Sequence, residues 1–225
     1  MSRRILLLVA LAAALAASAQ EAPRPGLVFE KWVRDTFFDG YKPASYTQRW
    51  DIPAAENKSH GGIPVNAKTV QYGGAIDLGD ALSQYEIDEP FMLVVGFWQE
   101  EGEERRLVNF TAPVIPPELW RKLWGPVTYA DLLRFDALIK DIGPPVEELR
   151  KVALKVKNSP PFSDAVIQVN PKIDTHGLRR LQCSIRFADF FRYLLPGADS
   201  RPQAHPTLFG LEYPRPIAAK PREPR

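Results

Sequence analysis

The sequence predicts an α/β domain in which a mixed sheet is flanked by helices on both sides. Segments with a helical period of 3.6 and a strand period of 2 alternate along the chain, in the order helix, two strands, helix, strand, strand, helices, strands, helix. Phe91 to Trp98 is a continuous apolar run, the pattern of a strand covered on both faces. Of the 225 residues, 45% are hydrophobic and they include five Trp, seven Tyr and twelve Phe, which is enough apolar mass for one packed core and excludes a disordered chain. No internal repeat is present.

Leu27 to Phe38 spaces Phe29, Val33 and Phe37 four apart with Trp32 alongside, so it predicts an amphipathic helix with Glu30 on its flank. Tyr46 to Ile52 and Ile63 to Val70 read as two strands of a hairpin, joined by the turn-rich stretch Ala54 to Gly62. Ala75 to Tyr85 reads as a helix after Gly73-Gly74, Phe91 to Trp98 as a strand and Leu107 to Ile115 as another. Pro116-Pro117 opens a helix that buries Trp120, Leu123 and Trp124 and breaks at Gly125-Pro126. Thr128 and Asp131 have the spacing of a capping box ahead of a helix through Leu132, Leu133, Phe135, Leu138, Ile139 and Ile142. A further helix is expected over Val146 to Lys157, strands over Ala165 to Val169 and Leu181 to Arg186, and a closing helix over Phe187 to Leu195.

The ends differ from the middle. Met1 to Ala19 combines Arg3 and Arg4, an apolar run from Ile5 to Ala17 and the small-residue sequence Ala17-Ser18-Ala19, the pattern of a secretory signal peptide. That reading implies an exported protein, periplasmic or secreted; a misassigned start codon would make it cytoplasmic. The apolar run is too short for an ordinary membrane span, so no membrane association is expected once it is removed. Residues 196–225 hold seven prolines and form a Pro-rich tail, most simply extended, in which Leu208-Phe209-Gly210-Leu211 and Tyr213 can dock on the domain of residues 26–195. Without Arg3 and Arg4 the 29 Lys and Arg fall to 27, equal to the 27 Asp and Glu. That balance excludes a protein that coats nucleic acid by uniform charge, but not one with a local basic face. One cysteine excludes a disulfide scaffold and a Cys-based zinc site.

Alternation in a strand projects Asn66 and Lys68 from one face, and a turn of the predicted length brings Asp51 beside them. A carboxylate, an amide oxygen and an ammonium then converge near one sheet edge, with Glu30 available from the preceding helix. Each of these residues taken singly is ordinary: Asp51 at a strand end, Lys68 on a solvated sheet edge, Glu30 on the polar side of a helix. Their order is less so.

That order, with the "PVNAKT" strand, the "GGAIDLGDALSQY" segment and the "FMLVVGFW" strand, resembles the PD-(D/E)xK nuclease superfamily, in particular type II restriction enzymes, over residues 27–98. The likeness extends to "VNPKIDTHGLRRLQCSIRF" at residues 169–187. The resemblance implies a restriction-endonuclease-like mixed central sheet flanked by helices and Mg²⁺- or Mn²⁺-dependent hydrolysis of double-stranded DNA. It implies catalytic roles for Asp51, Asn66, Lys68 and Glu30, with the metal at Asp51 and Asn66. Many restriction enzymes of this kind act as dimers, so a homodimer is also compatible. Asn66 departs from the family pattern, which has Asp or Glu there; a neutral amide offers one oxygen and no charge to a hard cation. Either Glu30, Asp77 or Asp80 replaces that charge, or the chain is a catalytically silent, secreted module that binds DNA or another macromolecule.

A second strip contains Lys172, His176, Arg179, Arg180, Gln182 and Arg186. Alternation puts Arg180, Gln182 and Ser184 on one face and Arg179, Leu181, Cys183 and Ile185 on the other. Arg pairs with guanine or phosphate and Gln with adenine, so Lys172, Arg179, Arg180, Gln182 and Arg186 are candidate DNA contacts; a solvated charge run is the plainer alternative. His60, His176 and His205 lack metal-ligand spacing, and neither a GxSxG elbow nor a P-loop is present. Cys183 reads as a buried strand residue.

Overall fold

The structure, a computed structural model, describes residues 25–45, 48–102, 104–174, 177–214 and 216–218. The leader-like segment 1–19 and His176 lie outside the described residues. The first half of the chain runs through α1 (Pro25–Phe37), β1 (Val65–Gln71), β2 (Ile76–Asp80), α2 (Ala81–Tyr85), β3 (Phe91–Glu101), β4 (Glu104–Thr111) and β5 (Val114–Ile115). It continues through α3 (Pro117–Leu123), α4 (Tyr129–Lys140), α5 (Val146–Lys157), β6 (Gln168–Ile173), β7 (Arg179–Ile185) and α6 (Phe187–Leu194). The tail adds β8 (Thr207–Leu208), β9 (Leu211–Glu212) and β10 (Ile217–Ala218). The fold is mixed α/β. No helix among the described residues is long and apolar enough to cross a membrane.

The larger sheet has the order β1-β3-β4-β10, with β1 parallel to β3 and β4 antiparallel to it. The smaller, antiparallel sheet has the order β2-β7-β6. As its apolar run implies, β3 is buried on both faces. Phe91, Leu93, Val95 and Phe97 join the larger core with α3 to α6 and the second sheet, whereas Met92 and Val94 join a smaller core under α1. Phe29 and Val33, one helical turn apart, seat α1 on that smaller core. The Thr128 and Asp131 capping box forms at the start of α4, and α5 covers the predicted range.

Three expectations in the first half of the chain need correction. Of the expected strand Tyr46 to Ile52, residues 46 and 47 lie outside the described residues, and residues 48–52 do not form a hairpin strand: Ile52 makes one antiparallel bridge to Val65, and the chain then leaves the sheet. The next amide along β1, that of Ala67, donates to the Asp51 side chain at 2.8 Å instead of to a backbone carbonyl, so a carboxylate takes the place of the next ladder bond. Ala75 to Tyr85 is not one helix. Ile76 and Leu78 are buried at strand spacing, and Gly79, at a φ of +96° beside a bulge, turns the chain before α2. Asp80 caps that short helix, accepting a hydrogen bond from the Ser83 amide at 2.9 Å. The predicted strand from Leu107 to Ile115 is interrupted at Ala112-Pro113 and forms β4 and β5.

Candidate active site

The exposed edge of β1 opens onto a cleft of about 390 Å³, and all four residues singled out in the sequence line it. Glu30 comes from α1, Asp51 from the segment that bridges the start of β1, and Asn66 and Lys68 from one face of β1 itself. The Lys68 ammonium lies 3.7 Å from Asp51 Oδ2, the same oxygen that accepts from the Ala67 amide. Asn66 is 4% exposed, and its Oδ1 accepts from the Asp51 amide at 3.3 Å. The Asp51 amide thus donates to the Asn66 side chain while the Asp51 side chain accepts from the amide of Ala67, the residue after Asn66, which fixes the carboxylate and the amide oxygen near one another.

The cleft contains groups that the sequence reading passed over. Arg34 follows Glu30 by one helical turn, and its guanidinium lies 3.6 Å from the Glu30 carboxylate. That i, i+4 spacing is legible in the sequence once Glu30 is placed. Arg49 and the buried Gln84 also form part of the lining, and no local pattern marks either. Of the two acids considered as replacements for the missing charge, Asp80 lines the cleft, whereas Asp77 sits exposed in β2 and accepts from the Gly79 amide at 2.9 Å. His60 lies away from the cleft, stacked on Phe209 with ring centroids 4.1 Å apart.

Burial, and secondarily the negative charge of Asp51, push the Glu30 carboxyl above the ordinary carboxylate range; Lys68 and Arg34 oppose that shift. Glu30, Asp51 and Asp80 face Arg34, Arg49 and Lys68 across the lining, so the cleft is close to charge balance. Such a lining suits an oxyanion together with a dication better than either alone.

Among the described residues no three His, Cys, Asp or Glu side chains converge as a metal-binding group. The oxygen donors present still fit a cation of the Mg²⁺ type, which takes one or two carboxylates and completes its shell with water and phosphate oxygens. Asp51 and Asn66 supply adjacent oxygens, and Glu30 supplies a second carboxylate whose ionisation an added cation would favour.

The second strip is divided by the fold. Arg180 is exposed and shares a face of β7 with Gln182, while Leu181, Cys183 and Ile185 are buried on the other face. Arg179 does not project with the reading face: its guanidinium donates to the Asp141 carbonyl at the end of α4. Arg186 pairs with Asp189 in the first turn of α6. Lys172 lies directly opposite Arg180 on β6. Cys183 is fully buried, and burial raises its thiol well above the usual range, so it is not a nucleophile. Compared with family models, curated proteins and solved structures, the chain has no match.

Proposed function

We propose that the β1 cleft hydrolyses phosphodiester bonds of double-stranded DNA, with Mg²⁺ or Mn²⁺ held by Asp51 and Asn66 and supported by Glu30, in the manner of the PD-(D/E)xK nucleases that the sequence resembles. One observation carries the reading: a carboxylate, an amide oxygen, an ammonium and a second carboxylate, contributed by three separate chain segments, share one open cleft. The bound cation would polarise the phosphoryl group and lower the pKa of a water.

The chain's own groups do the rest. Asp51, fixed by the Ala67 amide, presents an anionic oxygen in a constant position. Lys68, 3.7 Å from it, orients the attacking water and offsets the charge that develops on phosphate. Arg34 holds Glu30 and adds a cation to the phosphate side of the cleft. Arg180 and Gln182 offer a polar face for the duplex, and the leader-like residues 1–19 support action outside the cytoplasm.

The neutral Asn66 favours a second reading, a catalytically silent module that binds DNA without cutting it. One experiment separates them. The purified chain is incubated with supercoiled plasmid and Mg²⁺ or Mn²⁺, beside Lys68→Ala and Asp51→Ala. Nicking by the parent, slowed about a hundredfold or more in both variants, supports the enzyme. If the parent is inert and Asn66→Asp neither cuts nor binds metal, the nuclease reading falls.

A further inference from the structure

On the far side of the smaller sheet, α5 and the edge strand β6 enclose a second cleft of about 350 Å³, lined by Arg150, Lys157, Asn170 and Lys172 among others. Every charged residue in its lining is cationic. Arg150 is held by the fold: its Nε and Nη2 donate to the Ile173 carbonyl at 3.0 and 2.8 Å, and its Nη1 reaches Glu147 at 2.7 Å. Lys157 and Lys172 have no carboxylate within ion-pair distance among the described residues.

Lysines in the last turn of a helix are usual, since they complement the carbonyl end of the helix dipole. Lys157 does something more specific. Its ammonium donates to Asn170 Oδ1 at 2.6 Å, and the Asn170 amide is fixed in turn by Ser184 Oγ at 2.8 Å and the Gln168 carbonyl at 3.2 Å. This chain of hydrogen bonds holds the amine in the cleft beside Lys172. Burial, and then the charge of Lys172, lower the pKa of Lys157, so the folded protein keeps two like charges together at a cost. Aliphatic side chains would close the same gap between α5 and β6 without that repulsion.

We propose that the α5–β6 cleft is an oxyanion site that takes a phosphate group, with Lys157 and Lys172 as its charged ligands. A bare phosphate leaves room in a cavity of this size, so the group can be carried by a larger molecule. The chemistry is common to a free phosphate and to a phosphodiester of a nucleic-acid strand, and the test distinguishes the two. The proposal uses residues separate from those of the β1 cleft and does not rest on that cleft being catalytic.

The test is direct binding in the presence of EDTA, so that cleavage plays no part. Inorganic phosphate is titrated into the full chain by calorimetry at low salt, and a blunt DNA duplex without terminal phosphates is titrated in parallel. The same is done for Lys157→Gln, Lys172→Gln and, as a control, Lys151→Gln on the exposed side of α5. A ligand that uses the cleft binds about tenfold more weakly to the first two variants and unchanged to the control. Weakening of phosphate alone identifies a small anion. Weakening of the duplex, with a salt dependence reduced by about one phosphate contact per lysine, identifies a strand backbone. Because Lys172 is exposed, Lys172→Gln decides the matter if Lys157→Gln fails to fold. If Lys172→Gln binds both ligands as the parent does, or the parent binds neither, the proposal is wrong.

Discussion

Asn66 brings a nearly sealed amide oxygen to a cleft that already holds Asp51. Replacing it with Asp adds an anion beside an anion with little water to separate them. Without metal, Asn66→Asp is therefore expected to destabilise the fold by about 1 to 3 kcal/mol, seen as a lower melting temperature in EDTA. With Mg²⁺ the same pair gains the anionic oxygens that a hard cation requires, so the variant should recover more stability than the parent does. Equal responses of parent and variant to Mg²⁺ would remove Asn66 from any metal site. Thr128 and Asp131 carry a different kind of local energy. The Thr128 hydroxyl and amide hold the Asp131 carboxyl below the ordinary range, with Arg134 adding to the effect. A carboxylate depressed in the folded state contributes stability above its unfolded pKa and loses it as pH falls through the folded value. Thr128→Ala should cost about 1 kcal/mol at neutral pH. The gap between parent and variant should narrow on acidification, which paired melting curves from neutral to acid pH would show.

At the level of elements, the close approach of α1 to β3 is what brings Glu30 and Arg34 to the edge of β1. A methyl group at Gly96 of β3 would lie 3.0 Å from the Phe29 ring and from Leu107 Cδ2. Gly96→Ala is thus expected to push α1 outward and cost about 1 to 3 kcal/mol, with a loss of any plasmid cleavage larger than the stability change explains. Elements that carry their own signal were legible from sequence: α4 has its capping box, α5 its apolar stripe and β3 its uninterrupted apolar run. The candidate site was legible for the same reason, because period 2 alone puts Asn66 and Lys68 on one face of β1. Where tertiary contacts decide, the reading failed. Residues 46–52 look like a strand, yet the Asp51 side chain takes the ladder bond that would have extended it. Residues 75–80 read as part of a helix in sequence but pair with β7, and the strand expected over Ala165 to Val169 lies instead at Gln168–Ile173, where β6, as an edge strand, accommodates Pro171, which lacks an N–H. Arg49 and Gln84 reach the cleft only through the packing of distant segments.

For the molecule as a whole, the Pro-rich tail is part of the fold that carries the site. Leu208 and Ile217 are buried in the smaller core, the one on which α1 rests, and β10 extends the larger sheet by pairing with β4. Tyr213 meets Trp32 of α1 edge to face at 4.9 Å, and Phe209 meets Phe37 at 5.2 Å. The approach is anchored by the Gln203 amide on the Val108 carbonyl at 2.7 Å and by the Asn109 side chain, which donates to the Asp199 and Arg201 carbonyls at 3.0 and 2.9 Å. Proline limits the conformations open to the tail before it docks, so less entropy is lost when it does. The apolar face of α1 is therefore covered on one side by β1 and β3 and on the other by residues that arrive last in the sequence. Leu208→Ala should cost about 2 to 4 kcal/mol, and a chain ending at Pro206 should lose more because Trp32 and Phe37 become exposed together. Since α1 holds Glu30 and Arg34, the truncated chain should also lose hydrogen-exchange protection in α1 while α4 and α5, which pack on the larger core, keep theirs. Uniform loss of protection across all three helices would mean that the two cores unfold as one unit; unchanged protection in α1 would show that the tail does not support the site.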